Sequence, residues 1–297
     1  MNELLSIQKL NLFFELYKRN LQVLNEINLK VFKGEKVAVV GESGSGKSVM
    51  LRIILGLLKY RNSVIDGDVY FDSINLTQQT ENYYKNNIRA KNISMIFQDP
   101  MASLNPVFTI RDQITNVIKL RDNKLNKNQI EKIADEELKK VSIFDSKRVL
   151  DSYPFQLSGG MAQRILIIMA LMNKPQLVLA DEPSTALDVT LQKQALNLMD
   201  ELTNQVNAAV LLVTHNLGVV REFAERVYVI YKGNIVEEGL VEDIFNNPKH
   251  PYTVALLEAI PRLTGGGLPK FDENPPQYEQ IKKYSHPSLK DYYAKFS

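Results

Sequence analysis

The chain has 297 residues, with 36 Lys and Arg against 34 Asp and Glu, so its formal charge is only +2. This length fits one large domain or two modest ones, and the near-neutral charge argues against a basic nucleic-acid-binding protein. Because the chain contains no cysteine, disulfides, thiol nucleophiles, iron–sulfur clusters and cysteine-type zinc sites are excluded. No apolar run approaches the ~18 residues of a membrane span, and a signal-peptide pattern is lacking, so we expect a cytoplasmic location.

The order of the apolar runs predicts an α/β fold. Residues 5–40 alternate apolar and polar side chains in short runs, which is typical of antiparallel strands with one wet face. Largely apolar runs, typical of buried parallel strands, follow at residues 37–40, 94–97, 177–180 and 210–213. Helical patterns lie between them, at residues 47–59, 111–120, 126–142, 158–172, 189–206 and 216–225. This alternation predicts a doubly wound α/β core.

The C-terminal part departs from that alternation. Residues 226–238, interrupted by Lys232-Gly233-Asn234, are typical of a hairpin. A short apolar helix is predicted over residues 251–260, with Pro251 near its start, where the missing N–H costs nothing. After Gly265-Gly266-Gly267 the sequence becomes polar and contains prolines. We expect this tail to be an extended, partly ordered appendage.

A glycine-rich segment follows the apolar run at 37–40 and matches G-x-x-x-x-G-K-[ST] in full. Its residues are Gly41, Glu42, Ser43, Gly44, Ser45, Gly46, Lys47 and Ser48. Between a strand and a helix this pattern is a P-loop, whose backbone N–H groups curl around phosphate at the positive end of the helix. We expect Lys47 to reach the β- and γ-phosphates and the Ser48 hydroxyl to ligate Mg²⁺. The motif alone leaves kinases, GTPases and transport ATPases open.

Two adjacent carboxylates end the apolar run at 177–180. Asp181 and Glu182 come directly after it, which places them at the carboxyl edge of the predicted sheet, where α/β proteins bind ligands. Asp181 is predicted to hold Mg²⁺ through water. Glu182 is predicted to polarise the attacking water as a general base.

The segment before the helix at 158–172 is the most specific motif of the chain. Its sequence is Leu157-Ser158-Gly159-Gly160-Met161-Ala162-Gln163-Arg164. This resembles the signature motif of ATP-binding cassette (ABC) ATPases. The resemblance implies a P-loop NTPase (RecA-like) core, an antiparallel β subdomain, an inserted α-helical signature subdomain and a short C-terminal extension. It also implies that the signature contacts the ATP of a partner subunit, through Ser158, Gly159, Gly160, Met161 and Gln163.

The same resemblance implies roles for further residues. Gln98 matches the glutamine that contacts Mg²⁺ and senses membrane subunits, and His215 matches the switch histidine at the γ-phosphate. Asp188, ending Ser184-Thr185-Ala186-Leu187-Asp188, matches the loop that crosses the dimer interface. Tyr17 is a candidate for stacking on adenine, and Val49 completes the ATP-binding segment. Mg²⁺ is then assigned to Ser48, Gln98 and Asp181.

Domain boundaries follow from the resemblance as well. An ATPase domain is expected over residues 5–245, with a helical signature subdomain at about 100–172. Residues 246–297 are expected to form the C-terminal extension.

Several segments are similar to the oligopeptide/dipeptide importer ATPases within the family. They are Gln98–Pro106, Tyr153–Met161, Asp181–Thr190, His250–Thr253 and Ile260–Leu263. The Met161 form is similar to the first ATPase of a heterodimeric pair. Ala162 stands where a basic residue is frequent, and Asn216 where an Asp usually follows the switch histidine. Many relatives carry a cysteine cluster near the region of Asn274-Pro275-Pro276; this chain has no cysteine, so no iron–sulfur cluster is expected.

We therefore expect an ATPase subunit of a peptide importer at the cytoplasmic face of the membrane, with ATP and Mg²⁺ as cofactors. The implied partners are a second ATPase, two transmembrane permeases and an extracytoplasmic substrate-binding protein, with no nucleic acid. Three alternatives remain open from the sequence: the same machinery importing nickel or a metal chelate, a soluble ABC ATPase acting on ribosomes or DNA, and a regulatory protein with little hydrolysis.

Overall fold

The computed structural model describes residues 3–17, 19–58, 62–183, 188–259 and 283–296. Its strands are β1 (Glu3–Leu16), β2 (Arg19–Phe32), β3 (Lys36–Val40), β4 (Ser63–Phe71), β5 (Ile74–Asn75), β6 (Ile93–Ile96), β7 (Leu177–Asp181), β8 (Ala209–Thr214), β9 (Arg226–Tyr231), β10 (Asn234–Leu240) and β11 (Tyr284–Ser285). Its α-helices are α1 (Lys47–Ile54), α2 (Glu81–Tyr83), α3 (Pro100–Ser103), α4 (Ile110–Arg121), α5 (Lys127–Lys140), α6 (Ser146–Leu150), α7 (Gly159–Leu171), α8 (Val189–Val206), α9 (Leu217–Phe223), α10 (Val241–Asn246), α11 (Pro251–Glu258) and α12 (Leu289–Ala294). None of the helices in these ranges is long and apolar enough to cross a membrane.

The chain divides into two compact units, one of Met1–Gln79 with Leu212–Ser297 and one of Thr80–Leu211. The first unit holds an antiparallel sheet of order β2-β1-β4-β5 and the strands β11-β10-β9-β3-β8. The second holds the strands β8-β7-β6. Strand β8 is named in both units because the boundary between them, after Leu211, falls within it. The predicted boundaries at residues 245 and 246 stay predictions.

The antiparallel sheet of the first unit is built on β1, which pairs with β2 on one side and β4 on the other. Ile7 lies opposite Leu29 on β2 and Val69 on β4, and all three are buried. Their apolar side chains thus cover one face of the sheet, as the alternating pattern predicts.

The strand before the P-loop is buried along its apolar length. Val37 to Val40 are fully buried, and β3 runs parallel to β9 with Val40 opposite Val229. Strand β9 then turns into antiparallel β10, which confirms the predicted hairpin. A continuous apolar run fits this position because both faces of such a strand are covered.

The second unit combines parallel strands with amphipathic helices. Strands β6 and β7 are parallel, with Ile96 opposite Ala180. Helix α4 begins at a capping box in which Thr109 and Asp112 satisfy each other's backbone N–H groups. Its buried isoleucines recur every four residues, which is the period of one helix face: Ile110, Ile114 and Ile118.

The C-terminal segment 283–296 is more ordered than the predicted appendage. Strand β11 adds in parallel to the edge of β10, and the ring of Phe296 stacks on Phe32 at 4.4 Å between centroids. The Tyr293 hydroxyl accepts a hydrogen bond from Arg226 Nη1 at 3.0 Å and donates one to Glu238. The partly ordered appendage expected here therefore includes a helix and an edge strand in this segment, because its aromatic side chains have distant partners. Residues 260–282, with Gly265–Gly267 and Asn274–Pro276, lie outside the described ranges.

A buried arginine anchors this C-terminal segment. Arg226 has no exposed surface and forms a bidentate ion pair with Glu35, at 2.8 and 3.0 Å. Its Nη1 also contacts Glu238 at 3.0 Å. Burial would raise the pKa of Glu238, but Lys283, the Tyr293 hydroxyl and Arg226 outweigh it and hold that pKa below its usual value. Arg226 thus compensates the buried Glu35, and Arg226 together with Lys283 compensates the buried Glu238.

Candidate functional site

The P-loop begins where β3 ends, and its backbone leaves no room for side chains at two glycines. A Cβ at Gly41 would lie 2.2 Å from the carbonyl oxygen of Ile230. Gly46 has φ +102°, and a Cβ there would lie 2.5 Å from Leu24 Cδ2. Glycine is required at both positions, since a larger residue would displace the loop or strain its backbone.

Lys47 closes the loop on itself. Its side chain is 4% exposed, and Nζ donates to the carbonyls of Gly41 at 2.7 Å and Glu42 at 2.8 Å. The backbone N–H of Ser45 also donates to Glu42, at 3.2 Å. The buried Ser45 hydroxyl has no hydrogen-bond partner among the described residues. A cation, an unsatisfied hydroxyl and the N-terminus of α1 together form a cradle whose chemistry fits a phosphate.

The predicted carboxylates lie at the end of β7. Asp181 is 5% exposed and Glu182 is 9% exposed. Glu182 has φ +45°, a left-handed conformation that is unfavourable for a residue with a side chain and clusters at functional sites. Its Oε2 accepts a hydrogen bond from Gln98 Nε2 at 3.2 Å. The structure therefore brings together two residues that the sequence predicted separately, at the neighbouring ends of β6 and β7.

The signature residues differ in exposure. Ser158 and Gly159 are exposed, and the Ser158 hydroxyl accepts from the N–H of Met161 at 3.3 Å, capping α7. Gln163, by contrast, is 1% exposed and donates through Nε2 to the carbonyl of Pro183 at 2.7 Å. Its side chain thus faces the interior of its own unit and positions the turn that follows Glu182. Gly160 and Met161 are half-buried.

The remaining predicted residues lie at the ends of elements. Tyr17 is 91% exposed, directly after β1, and His215 is exposed, directly after β8. Asp188 caps α8 by accepting from the N–H groups of Thr190 and Leu191 at 3.1 and 3.0 Å. Ser184–Leu187 of the predicted interface loop lie outside the described residues.

Asn216 accounts for one departure from the family pattern. Its Oδ1 accepts from the N–H groups of Gly218 at 2.9 Å and Val219 at 3.4 Å, so it caps α9. Asparagine and aspartate are equally good at this position. Asn216 thus performs the capping role that an Asp would perform here.

One contact to the P-loop was missed by the sequence reasoning. The N–H of Glu42 donates to the hydroxyl of Tyr252 on α11, at 3.0 Å. Tyr252 stands in the His250-Pro251-Tyr252-Thr253 segment, but its partner is 210 residues away in the chain. No local pattern points to such a pairing.

Comparison with known proteins is consistent with this geometry. Residues 24–185 match the ABC transporter family, which covers more than half of the chain. The chain belongs to the ABC transporter family. Residues 236–286 match a second family, described as the oligopeptide/dipeptide transporter C-terminal region. The recognition made from the signature and P-loop motifs is thereby confirmed.

Individual ABC proteins support the same assignment. The oligopeptide transport ATP-binding protein AppD of Bacillus subtilis is 43% identical over 93% of this chain and 87% of its own. The dipeptide transport ATP-binding protein DppD of Bacillus subtilis is 44% identical over 93% and 83%. The ATP-binding cassette MJ0796, solved as a dimer bound to ADP and phosphate, has a TM-score of 0.70 at 29% identity, covering 80% of this chain and 98% of that one. The predicted P-loop ATPase fold class is confirmed.

Proposed function

We propose that this chain is the ATP-hydrolysing subunit of an ABC importer for oligopeptides or dipeptides, working at the cytoplasmic face of a membrane. The observation that carries the proposal is the match of a single chain both to the ABC transporter family and to the oligopeptide/dipeptide transporter C-terminal region. The names of the two Bacillus subtilis relatives, which match 93% of this chain, support the peptide cargo.

Hydrolysis in this proposal depends on charge and positioning. Lys47 and the N-terminus of α1 bind the β- and γ-phosphates, and His215 contacts the γ-phosphate. Glu182 accepts a proton from the attacking water, with its carboxylate oriented by the amide of Gln98 at 3.2 Å. The buried, left-handed position of Glu182 fixes the direction of that carboxylate.

The proposed metal is Mg²⁺, which Ser48 and Gln98 would hold and which Asp181 would hold through water. Hydroxyl, amide and carboxylate oxygens are the hard donors that this ion prefers, so the donor set fits. When bound, Mg²⁺ supplies positive charge to the oxygens of the β- and γ-phosphates.

The Glu182→Gln variant tests this hydrolysis. It keeps the side-chain volume and a hydrogen-bonding oxygen for Gln98 but removes the base. We expect the turnover number to fall at least about 100-fold, within the range of general-base contributions, while the dissociation constant for ATP changes less than about 3-fold. The matched control is Glu242→Gln at an exposed position of α10. Full turnover in the Glu182 variant would remove this residue from the base role.

The proposed ATP site is shared with a second ATPase subunit. In this proposal Ser158 and Gly159 clamp the partner's nucleotide, and their exposure at the N-terminus of α7 supports that role. The Met161 form of the signature supports a heterodimer in which this chain is the first ATPase. In this proposal Tyr17 stacks on the adenine and Val49 belongs to the ATP-binding segment. Asp188 belongs to the loop that crosses the dimer interface.

The proposed permease contacts lie in the second unit. Residues 97–155 carry several exposed large apolar side chains, among them Val107, Phe144 and Phe155 at 74%, 76% and 67% exposure. Aromatic and apolar side chains of this kind are enriched at protein interfaces and are costly to leave in water. They support docking of two transmembrane permeases at this part of the chain.

A tagged pull-down from detergent-solubilised membranes tests the partners. We expect two permeases, a second ATPase and, under mild extraction, a peptide-binding protein, identified by mass spectrometry. Phe155→Ser with Val107→Ser is expected to lose the permeases, whereas the control Ile74→Ser, exposed on β5, retains them. A metal-chelate-binding protein would contradict the peptide cargo. Recovery only with ribosomes or nucleic acid from the soluble fraction would contradict transport altogether.

A further inference from the structure

The C-terminal region reaches the P-loop through the hydroxyl of Tyr252. This hydroxyl accepts the N–H of Glu42 at 3.0 Å, and Lys47 Nζ donates to the carbonyl of the same Glu42 at 2.8 Å. Both backbone polar groups of Glu42 are therefore held, one by α11 and one by the P-loop lysine. Glu42 is the second residue of the segment expected to bind phosphate.

The ring of Tyr252 is itself fixed. It is 3% exposed and packs against Tyr231 at 4.4 Å between centroids, within an apolar cluster that includes Val40, the residue before the P-loop. A buried aromatic ring with neighbours on several sides loses little further freedom when its hydroxyl forms a hydrogen bond. The bond to Glu42 is thus pre-organised.

The start of α11 is held in turn by a buried carboxylate on β10. Glu237 has no exposed surface and accepts the N–H groups of Lys249 at 2.7 Å and His250 at 2.9 Å. The Nδ1 atom of His250 then accepts the N–H of Tyr252 at 3.0 Å, capping the helix. Because an unsatisfied buried carboxylate is costly, these contacts fix where α11 begins.

The C-terminal segment completes this arrangement. His286 Nε2 lies 2.8 Å from Glu237 Oε1, and the imidazole is 4% exposed. Direct contacts therefore run without a gap from His286 through Glu237, His250 and Tyr252 to Glu42. All five residues belong to the first unit.

We propose that Tyr252 is a positioning residue for nucleotide binding, which holds the first peptides of the P-loop in place, and that the Glu237–His286 pair keeps α11 where Tyr252 can do so. This rests on the proposed ATPase function. Fixing the loop before the nucleotide arrives reduces the conformational entropy lost on binding. The effect falls on affinity for ATP rather than on the chemical step, since Tyr252 acts on the loop and not on the phosphates.

The Tyr252→Phe variant of the full chain isolates the hydroxyl, because the ring and its packing on Tyr231 remain. We expect the dissociation constant and the KM for ATP to rise about 3- to 10-fold, as for the loss of one hydrogen bond. The turnover number should change less than about 2-fold and Tm by no more than about 2 °C. The control is Tyr292→Phe, which removes a C-terminal hydroxyl bonded to Glu225; its ATP affinity should match the wild type.

A second variant tests the connection to the C-terminal segment. His286→Ala should raise the KM for ATP about 2- to 5-fold, and combining it with Tyr252→Phe should give less than the product of the two effects, because both act on the same contact. Wild-type affinity in Tyr252→Phe, or a parallel fall of turnover number, affinity and Tm, would overturn the proposal. Affinity is measured by equilibrium titration with ATP, so a wild type that binds but does not hydrolyse would contradict the ATPase function alone.

Discussion

The P-loop and the signature segment are both expected to contact ATP, yet their polar groups are used differently. In the P-loop, the Lys47 ammonium is buried and donates to two backbone carbonyls, and the N–H of Glu42 is held by Tyr252. In the signature, Ser158 and Gly159 are exposed, and the Ser158 hydroxyl serves only its own helix among the contacts described. The first segment is held by its own lysine and by Tyr252 from a distant part of the chain. The exposed start of the second is capped within its own helix, and Gln163 further along bonds to Pro183.

This difference indicates which segment is complete without a partner. A loop held by buried contacts can bind nucleotide in an isolated subunit, because its ordering entropy is already spent. An exposed helix N-terminus gains its full strength as an anion site only when a partner excludes water from it. The following experiments test that contrast, from the largest expected effect to the smallest.

The largest effect is expected at Arg226, whose buried ion pairs stabilise the unit that contains the P-loop. The Arg226→Met variant keeps the buried volume but leaves the Glu35 carboxylate without its cation and the Glu238 carboxylate with Lys283 alone, at 3.1 Å. We expect the free energy of unfolding to fall by about 3–5 kcal/mol, measured by urea titration. Arg148→Met removes an exposed pair with Asp145 and should leave the free energy of unfolding nearly unchanged. Equal losses in the two variants would show that the buried cluster is not a support.

Removal of the P-loop cation should abolish most nucleotide binding. In Lys47→Ala the ammonium that we propose to bind the phosphates is lost, and we expect the affinity of the isolated chain for ATP to fall at least about 100-fold, or roughly 3 kcal/mol. Equilibrium titration measures this directly. Lys132→Ala, with a side chain 78% exposed on α5, is the control. Affinity within 3-fold of the wild type would contradict the assignment of Lys47.

A charge in the signature should spare binding and reduce turnover. Gly159→Asp places a carboxylate at the first position of α7, where it is favourable for the helix but repels the partner's phosphates. We expect turnover of the assembled ATPase to fall about 10-fold or more, while the isolated chain binds ATP within about 2-fold of the wild type. Asn128→Asp, at the exposed second position of α5, adds the same single charge and is the control. Loss of ATP binding in the isolated chain would contradict the idea that the P-loop binds ATP without the signature segment.

The smallest expected effect is a pH dependence of the free energy of unfolding, which arises from His250 at the start of α11. Burial lowers the pKa of His250 below its ordinary value of 6.5, outweighing the opposite influence of Glu237. Folding therefore favours the neutral imidazole that caps α11. The contribution of His250 to the free energy of unfolding is complete above about pH 6.5. It is lost as the pH falls through the lowered pKa of His250 in the folded chain. Unfolding titrations should show this slope, and His250→Asn, which keeps a capping oxygen, should reduce it. An unchanged slope in that variant would assign the titration to another group.

Local features of the site were predictable from the sequence. The P-loop combines an apolar strand, fixed glycines and a helix within a few residues, so its context is visible in one window. Gln98 and Glu182 were each predictable, but their hydrogen bond depends on the parallel register of β6 and β7. Tyr252 was recognised only as part of a family segment.

The order of the C-terminal segment could not be predicted from its own sequence. Strand β11 and helix α12 lie in the tail that was expected to be an extended, partly ordered appendage because it is polar and contains prolines. Its order comes from Arg226, Glu237 and Glu238, which lie far away in the sequence. Helices of six residues have little stability of their own, so tertiary contacts decide whether they form.

Strand β11 has a practical consequence for handling the protein. By pairing with Glu237 and Glu238 it occupies N–H and C=O groups at the edge of β10 that would otherwise be open to another chain. A shortened version ending before Lys283 would uncover that edge together with the Arg226 cluster. Such a version would be prone to intermolecular strand pairing, so preparations for biophysical work should retain residues 283–296.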